Sequence, residues 1–327
     1  MGLDIDSRRE YKQGKFVYLL DDDEKTAWIA KGHIGRCRRY RLPDHVMVDG
    51  ERYTVESVEA GAFNRPRTLR HLVIPDTFNY VDEWAFLCDN LRSVYIGKGL
   101  DYLDSWTFCH CNKLRNIQID KDNPHLKYEN GMVLSKDGKK LWTVYTKCPH
   151  IVIPEGVEEI HDCVFMNDFT LESVTFPKTL RKIGDCSFCN CTKLRSVELP
   201  EGFEELVCQC FLENGSLHRV DLPSTLTDLG YQTFADCLNL ETVILRSPKK
   251  LEFRDCFGVY RCDEPLTNAK LHVPENLVEQ YRQDPEWRVF KHILPINEKY
   301  HTRKTTTEEH EELMRIMREI AKNEIDD

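Results

Sequence analysis

Phenylalanine recurs along this chain at a nearly fixed interval. Phe63, Phe86, Phe108, Phe165, Phe188, Phe211, Phe234 and Phe257 are separated by 23, 22, 57, 23, 23, 23 and 23 residues. Five residues before seven of these anchors stand Val58, Val81, Leu103, Ile160, Ile183, Leu206 and Leu229, and eight before stand Val55, Phe78, Leu100, Val157, Leu180, Phe203 and Leu226. After the Phe comes a Leu-x-x-apolar-x-apolar run, as in L-R-S-V-Y-I (91–96) and L-R-S-V-E-L-P (194–200). Its alternation predicts a short strand with one buried face, often stopped by a Pro that cannot continue a ladder. A unit of this kind cannot bury its apolar side alone, whereas stacked copies share one core. The interval therefore predicts a repeat solenoid of α/β type, largely short β-strands and turns, and it marks positions of stability rather than of catalysis.

The pattern Ile-x-x-Ile-x-x-x-Ala-Phe-x-x-Cys-x-x-Leu-x-x-Val-x-Ile-Pro, carried closely by V-E-S-V-E-A-G-A-F (55–63) and K-I-G-D-C-S-F-C-N-C-T-K-L-R-S-V-E-L-P (182–200), resembles the BspA-like class of bacterial leucine-rich repeats. The segment 271–293, with Tyr281, Trp287, Phe290 and Ile293, resembles that class's terminal cap. The resemblance covers roughly 50 to 296 and implies a scaffold on which binding surfaces vary.

Three regions depart from the interval. Residues 1–50 contain F-V-Y-L-L, T-A-W-I-A and other short strand-like runs and are expected to form an N-terminal β cap. The solenoid is expected over 51–296, with its C-terminal cap at about 271–296. Within it, the 57-residue gap holds 34 extra residues, read as a β-hairpin insertion at about 121–148 that turns at Asp137-Gly138. Over 297–327 the chain reads as a polar linker and an amphipathic helix, with Thr305 to Thr307 as its N-cap and Leu313, Ile316, Met317 and Ile320 on one face.

Fourteen cysteines fall mostly into columns of the same repeat. Cys111, Cys191 and Cys237 lie three after their Phe, Cys163 and Cys186 two before, and Cys210 and Cys256 one before. This locking to a packing period argues for structural rungs and against a zinc site, which pairs separate Cys or His elements. Cys109 and Cys189, directly after their Phe, are expected to reach solvent and to be oxidisable.

A net charge of −10 argues against phosphate-backbone binding, so nucleic acid is not an expected partner. The first residues lack a secretory signal's apolar run, and the chain holds no 18-residue apolar stretch. The sequence as it stands predicts a cytoplasmic protein with free thiols; the family resemblance implies, as the alternative, a cell-surface or secreted adhesin-like protein binding host protein or glycan. Phosphate loops, zinc-protease helices and nucleophile elbows are absent from the sequence, so no catalytic, cofactor-binding or metal-ligating residue is assigned. The expected function is a non-enzymatic scaffold that binds a protein ligand, with a glycan as a second ligand class and the oligomeric state open. Outward positions of the strand runs, represented by His71, Tyr95, Gln118, Thr175, Glu198, Asp221 and Ile244, form the candidate binding face.

Overall fold

The computed structural model describes residues 8–109, 111–146, 148–260, 269–297 and 314–315. The expected terminal helix on Leu313, Ile316, Met317 and Ile320 lies outside them. The chain is a β-solenoid, divided into two compact units. Among the described residues, the first comprises those up to Asp137 with Trp142–Tyr145, the second Gly138–Leu141 with those from Thr146 on.

In the first unit, strands Arg39–Arg41, His71–Ile74, Ser93–Ile96 and Asn116–Ile119 run parallel and in register. The inward residues Leu72, Val94 and Ile117 are buried while their neighbours alternate outward, as the period of two requires. A separate sheet begins with Arg9–Gln13, Phe16–Asp21 and Thr26–Gly32 in antiparallel order. It continues through Glu51–Val58 to the first repeat strand, Tyr80–Val81. Phe63, Phe86 and Phe108 stack with centroids 5.2 and 5.3 Å apart. Phe16 meets Phe63 edge-on at one end, and Tyr145 meets Phe108 edge-on at the other.

In the second unit, Ser196–Glu198, Arg219–Leu222, Thr242–Leu245, Lys270–Val273 and His292–Pro295 form one parallel sheet. His150–Val152 pairs with Ser173–Thr175. On the return side, two-residue strands Glu159–Ile160, Lys182–Ile183 and Glu205–Leu206 pair in parallel, so here the repeats return through turns and minimal strands rather than helices. Phe165, Phe188, Phe211, Phe234 and Phe257 form a continuous stack with interplanar angles of 15°, 11°, 4° and 11°. Trp287 and Phe290 cover its last ring, positioned by the short helix Val278–Gln283, whose Tyr281 hydroxyl accepts from the Leu251 N–H.

In the turns of Phe165, Phe188, Phe211 and Phe234 a left-handed residue stands on each side of the ring. Trp84, Cys163, Cys186, Gln209, Gln232 and Asp255, two before the anchor, have φ between 53° and 58°, and Asn167, Asn190, Glu213 and Asp236, two after, lie between 55° and 61°. With these alternating twists, the N–H groups of Cys186, Phe188 and Asn190 all point along the stack, donating to the carbonyls of Cys208, Cys210 and Leu212 one coil on. Every such amide is thereby satisfied in a turn that lacks ordinary strand geometry.

The insertion contains more than the expected Asp137-Gly138 turn. Leu126–Glu129 and Met132–Ser135 form a tight antiparallel hairpin, joined by Asn130 and Gly131 at φ 52° and 80°. Positive φ at both central residues is the twist that a two-residue hairpin needs, and Asn-Gly supplies it. The strand Lys140–Val144 follows, and its Lys140 and Leu141 pair with Glu159 and Ile160.

Candidate functional site

The cysteine columns resolve into hydrogen-bonded ladders. Three positions after the anchor, the Sγ of Cys111 donates to the Phe86 carbonyl at 3.3 Å, that of Cys191 to Phe165 at 3.1 Å and that of Cys237 to Phe211 at 3.2 Å. In the one intervening repeat Asn214 takes the same rung, its Nδ2 donating to the carbonyls of Phe188 and Phe211. One position before the anchor, Cys210 donates to the Val207 and Gly184 carbonyls, where Ser187 and Thr233 donate their hydroxyls. Thiol, hydroxyl and amide interchange because each rung needs only a small donor aimed at a buried carbonyl. Burial pushes the Cys237 thiol up to about 12 and raises Cys210 and Cys256 strongly, so these groups stay protonated. The expectation that both Cys109 and Cys189 reach solvent holds only in part: Cys189 is 6% exposed, whereas Cys109 is half-buried and keeps some exposure. Among the described residues no three His, Cys, Asp or Glu side chains converge as a metal ion would require.

The seven candidate face residues divide between the units. His71, Tyr95 and Gln118 lie on the first unit's sheet, with Tyr95 beside Gln118 in register. His71 Nδ1 meets the Ser93 hydroxyl at 2.8 Å. Desolvation, reinforced by Arg39, Arg70 and Arg92, lowers its pKa. In the second unit, Thr175 lies on the two-stranded sheet with His150–Val152, and Glu198, Asp221 and Ile244 occupy successive strands of the five-stranded sheet. Asp221 and Ile244 are not accessible there, at 2% and 0% exposed. The Arg246 guanidinium grips Asp221 through two bonds of 2.8 and 3.0 Å, and Arg219 adds a third at 2.9 Å. Glu198 stays in contact with solvent, and its carboxyl is pushed up by desolvation and by the Asp221 carboxylate.

The first unit's face opens into a cleft. Its volume is about 630 Å³, and Tyr95, Gln118, Asp120, Lys127, Tyr128 and Lys136 are among its lining. The insertion builds one wall. Buried Asn123 anchors it, donating to the Gly97 and Leu100 carbonyls and accepting from the His125 and Leu126 N–H groups. The hairpin starting at Leu126 is thereby held beside Asn116–Ile119. The Tyr95 hydroxyl donates to Asp120 at 2.6 Å. That bond raises the tyrosine's pKa and lowers the carboxyl's, leaving an ionised acceptor next to an aromatic face and two lysines. Tyr95 and Gln118 are among the candidate face residues that alternation marks as outward, whereas Asp120, Lys127, Tyr128 and Lys136 are not among them. The Asn130-Gly131 turn was the signal that could have found the wall.

A family model described as a BspA type leucine-rich repeat region matches residues 51–130 and 141–258, in six copies. Among solved structures, a leucine-rich repeat protein from Bacteroides ovatus is 20% identical with a TM-score of 0.52, over 88% of this chain and 76% of that one; this likeness is one of fold. The pneumococcal vaccine antigen PcpA is 14% identical over 88% of this chain and 99% of its own, with a TM-score of 0.45. A leucine rich cell surface protein from Faecalibacterium prausnitzii is 17% identical over 91% and 96%, with a TM-score of 0.38. No curated protein matches the chain. Among the described residues no helix is long and apolar enough to cross a membrane.

Proposed function

Because this chain belongs to the BspA-type leucine-rich repeat family, we propose that it acts as a non-enzymatic scaffold for a protein ligand, seated in the cleft beside the insertion. The observation that carries this reading is the lining itself: Tyr95 and Tyr128 supply aromatic surface, Asp120 an ionised acceptor, Gln118 an amide, and Lys127 and Lys136 cationic donors in one concavity. Binding sites combine apolar surface with a few placed polar groups in this manner. Residues 1–50 and 271–296 serve the scaffold as caps, since the end coils would otherwise face water.

The test is lysine cross-linking of the ligand-bound chain followed by peptide mass spectrometry. Cross-links on Lys121, Lys127 and Lys136, lost together with capture in a Tyr95→Ala, Gln118→Ala double variant, are the expected result. Cross-links confined to the second unit, with capture unchanged in that variant, would remove the cleft from consideration.

The paired tyrosines also favour a second reading, in which the cleft holds a glycan: sugar rings pack on aromatic faces while hydroxyls meet Gln118 and Asp120. An adhesin-like role at the cell surface fits a host protein or a glycan as ligand, whereas a cytoplasmic location leaves a cellular protein as ligand. Protease shaving of intact cells separates them, since only a surface protein is cleaved.

A further inference from the structure

Of the fourteen cysteines, Cys186 and Cys189 alone are spaced as C-x-x-C. They close a tight turn, in which the Cys189 N–H donates to the Cys186 carbonyl at 3.0 Å. Such a turn holds its end Cα atoms within roughly 7 Å, and disulfides span Cα separations of roughly 4.4–6.8 Å. The two thiols lie close enough for each to shift the other's pKa. Cys186 is half-buried, its thiol donating to the Gln209 amide oxygen at 3.6 Å, while Cys189 is buried.

We propose that Cys186 and Cys189 form a reversible thiol–disulfide exchange site, with Cys186 the attacking thiol and Cys189 the resolving one. The Cys186 thiolate attacks one sulfur of a small-molecule disulfide, breaking that bond, expelling one thiolate and leaving a mixed disulfide on Cys186. Cys189 gives its proton to the expelled thiolate, and its sulfur attacks Cys186 Sγ, expelling the second half of the reagent, which takes up the proton released when Cys186 ionised. Two protein thiols are oxidised to one disulfide, and one small disulfide is reduced to two thiols.

The division of roles follows from the environment of each sulfur. The Cys189 thiol stabilises the Cys186 thiolate and lowers its pKa, outweighing burial and the nearby Asp185 and Asp162 carboxylates; the same proximity, together with burial, raises Cys189. A lowered pKa on an accessible thiol is what makes a cysteine reactive. Cys88 and Cys111 give an internal control. There the Cys111 thiol and desolvation raise Cys88, and both residues are buried, so they present no thiolate.

The test uses the full chain, reduced and then equilibrated with mixtures of oxidised and reduced glutathione, with peptide mass spectrometry after alkylation. The expected product is a Cys186–Cys189 disulfide that reduced glutathione reverses. On the reduced chain, iodoacetamide should modify Cys186 at least about tenfold faster than Cys88. In both Cys189→Ser and Cys189→Ala, glutathione should remain trapped on Cys186. Modification of Cys186 no faster than of Cys88, persistent glutathione on Cys186 of the native chain, or a disulfide from Cys186 to another thiol such as Cys208 would each overturn the proposal.

Discussion

The ring of Phe211 lies almost parallel to that of Phe234, with planes 4° apart and centroids 5.3 Å apart, and on its other side it stacks on Phe188 at 5.0 Å. All three rings are fully buried. A ring held on both faces leaves a cavity that no neighbour can fill without moving a whole coil. Phe211→Ala is therefore expected to destabilise the fold by about 3–5 kcal/mol, read as a lowered midpoint in urea unfolding.

Asn214 occupies the rung that Cys191 and Cys237 fill in the flanking repeats, and its amide serves two carbonyls. Asn214→Cys should cost little, because the thiol already makes this bond elsewhere in the stack. Asn214→Leu should cost about 1–3 kcal/mol, since the Phe188 carbonyl loses its donor in a buried place and the Phe211 carbonyl keeps only the Cys237 thiol. Equal losses in thermal unfolding of the two variants would refute the ladder.

Asp221 accepts three charge-assisted bonds while almost wholly buried, whereas Arg219 remains a third exposed and Arg246 retains 17%. Asp221→Ala leaves two guanidiniums that can still turn toward water, so a loss of about 1–3 kcal/mol is expected rather than the larger cost of a stranded buried charge. Pairing it with Arg246→Met should restore part of that loss; a strictly additive double variant would show the two residues to be uncoupled.

His272 is buried, with its pKa lowered by desolvation and by Lys270 and Arg219, against the raising effect of the Pro295 carbonyl. His71 is shifted in the same direction. Below about pH 6.5 the unfolded chain binds more protons at these sites than the folded one. The contribution to stability is therefore present above that pH and is lost as pH falls through the lower folded values. Melting temperature should drop between about pH 7 and pH 5, and His272→Gln should flatten the drop; an unchanged slope would exclude His272 from it.

The interval of Phe63 to Phe257 specifies the solenoid, the repeat columns and the strand faces, because each depends on which residue stands one coil above another. The site was only partly legible. Tyr95 and Gln118 could be placed outward from alternation alone, but the cleft around them depends on Asn123 holding the insertion against Gly97 and Leu100. That contact joins residues from different coils across a break in the repeat, where periodicity carries no information.

What the sequence by itself determined is the set of residues that share a rung. In-register parallel strands advance one strand spacing per repeat, so residues 23 apart, such as Val197, Val220 and Val243, must lie over one another. What only the tertiary structure decided is which rungs water reaches. Alternation sends Glu198, Asp221 and Ile244 out of the same face, yet Arg246 reaches back across 25 residues and closes over Asp221, and Ile244 is buried beside it. A period of two states the side from which a residue leaves its strand; long side chains arriving from the next coil determine whether it meets solvent.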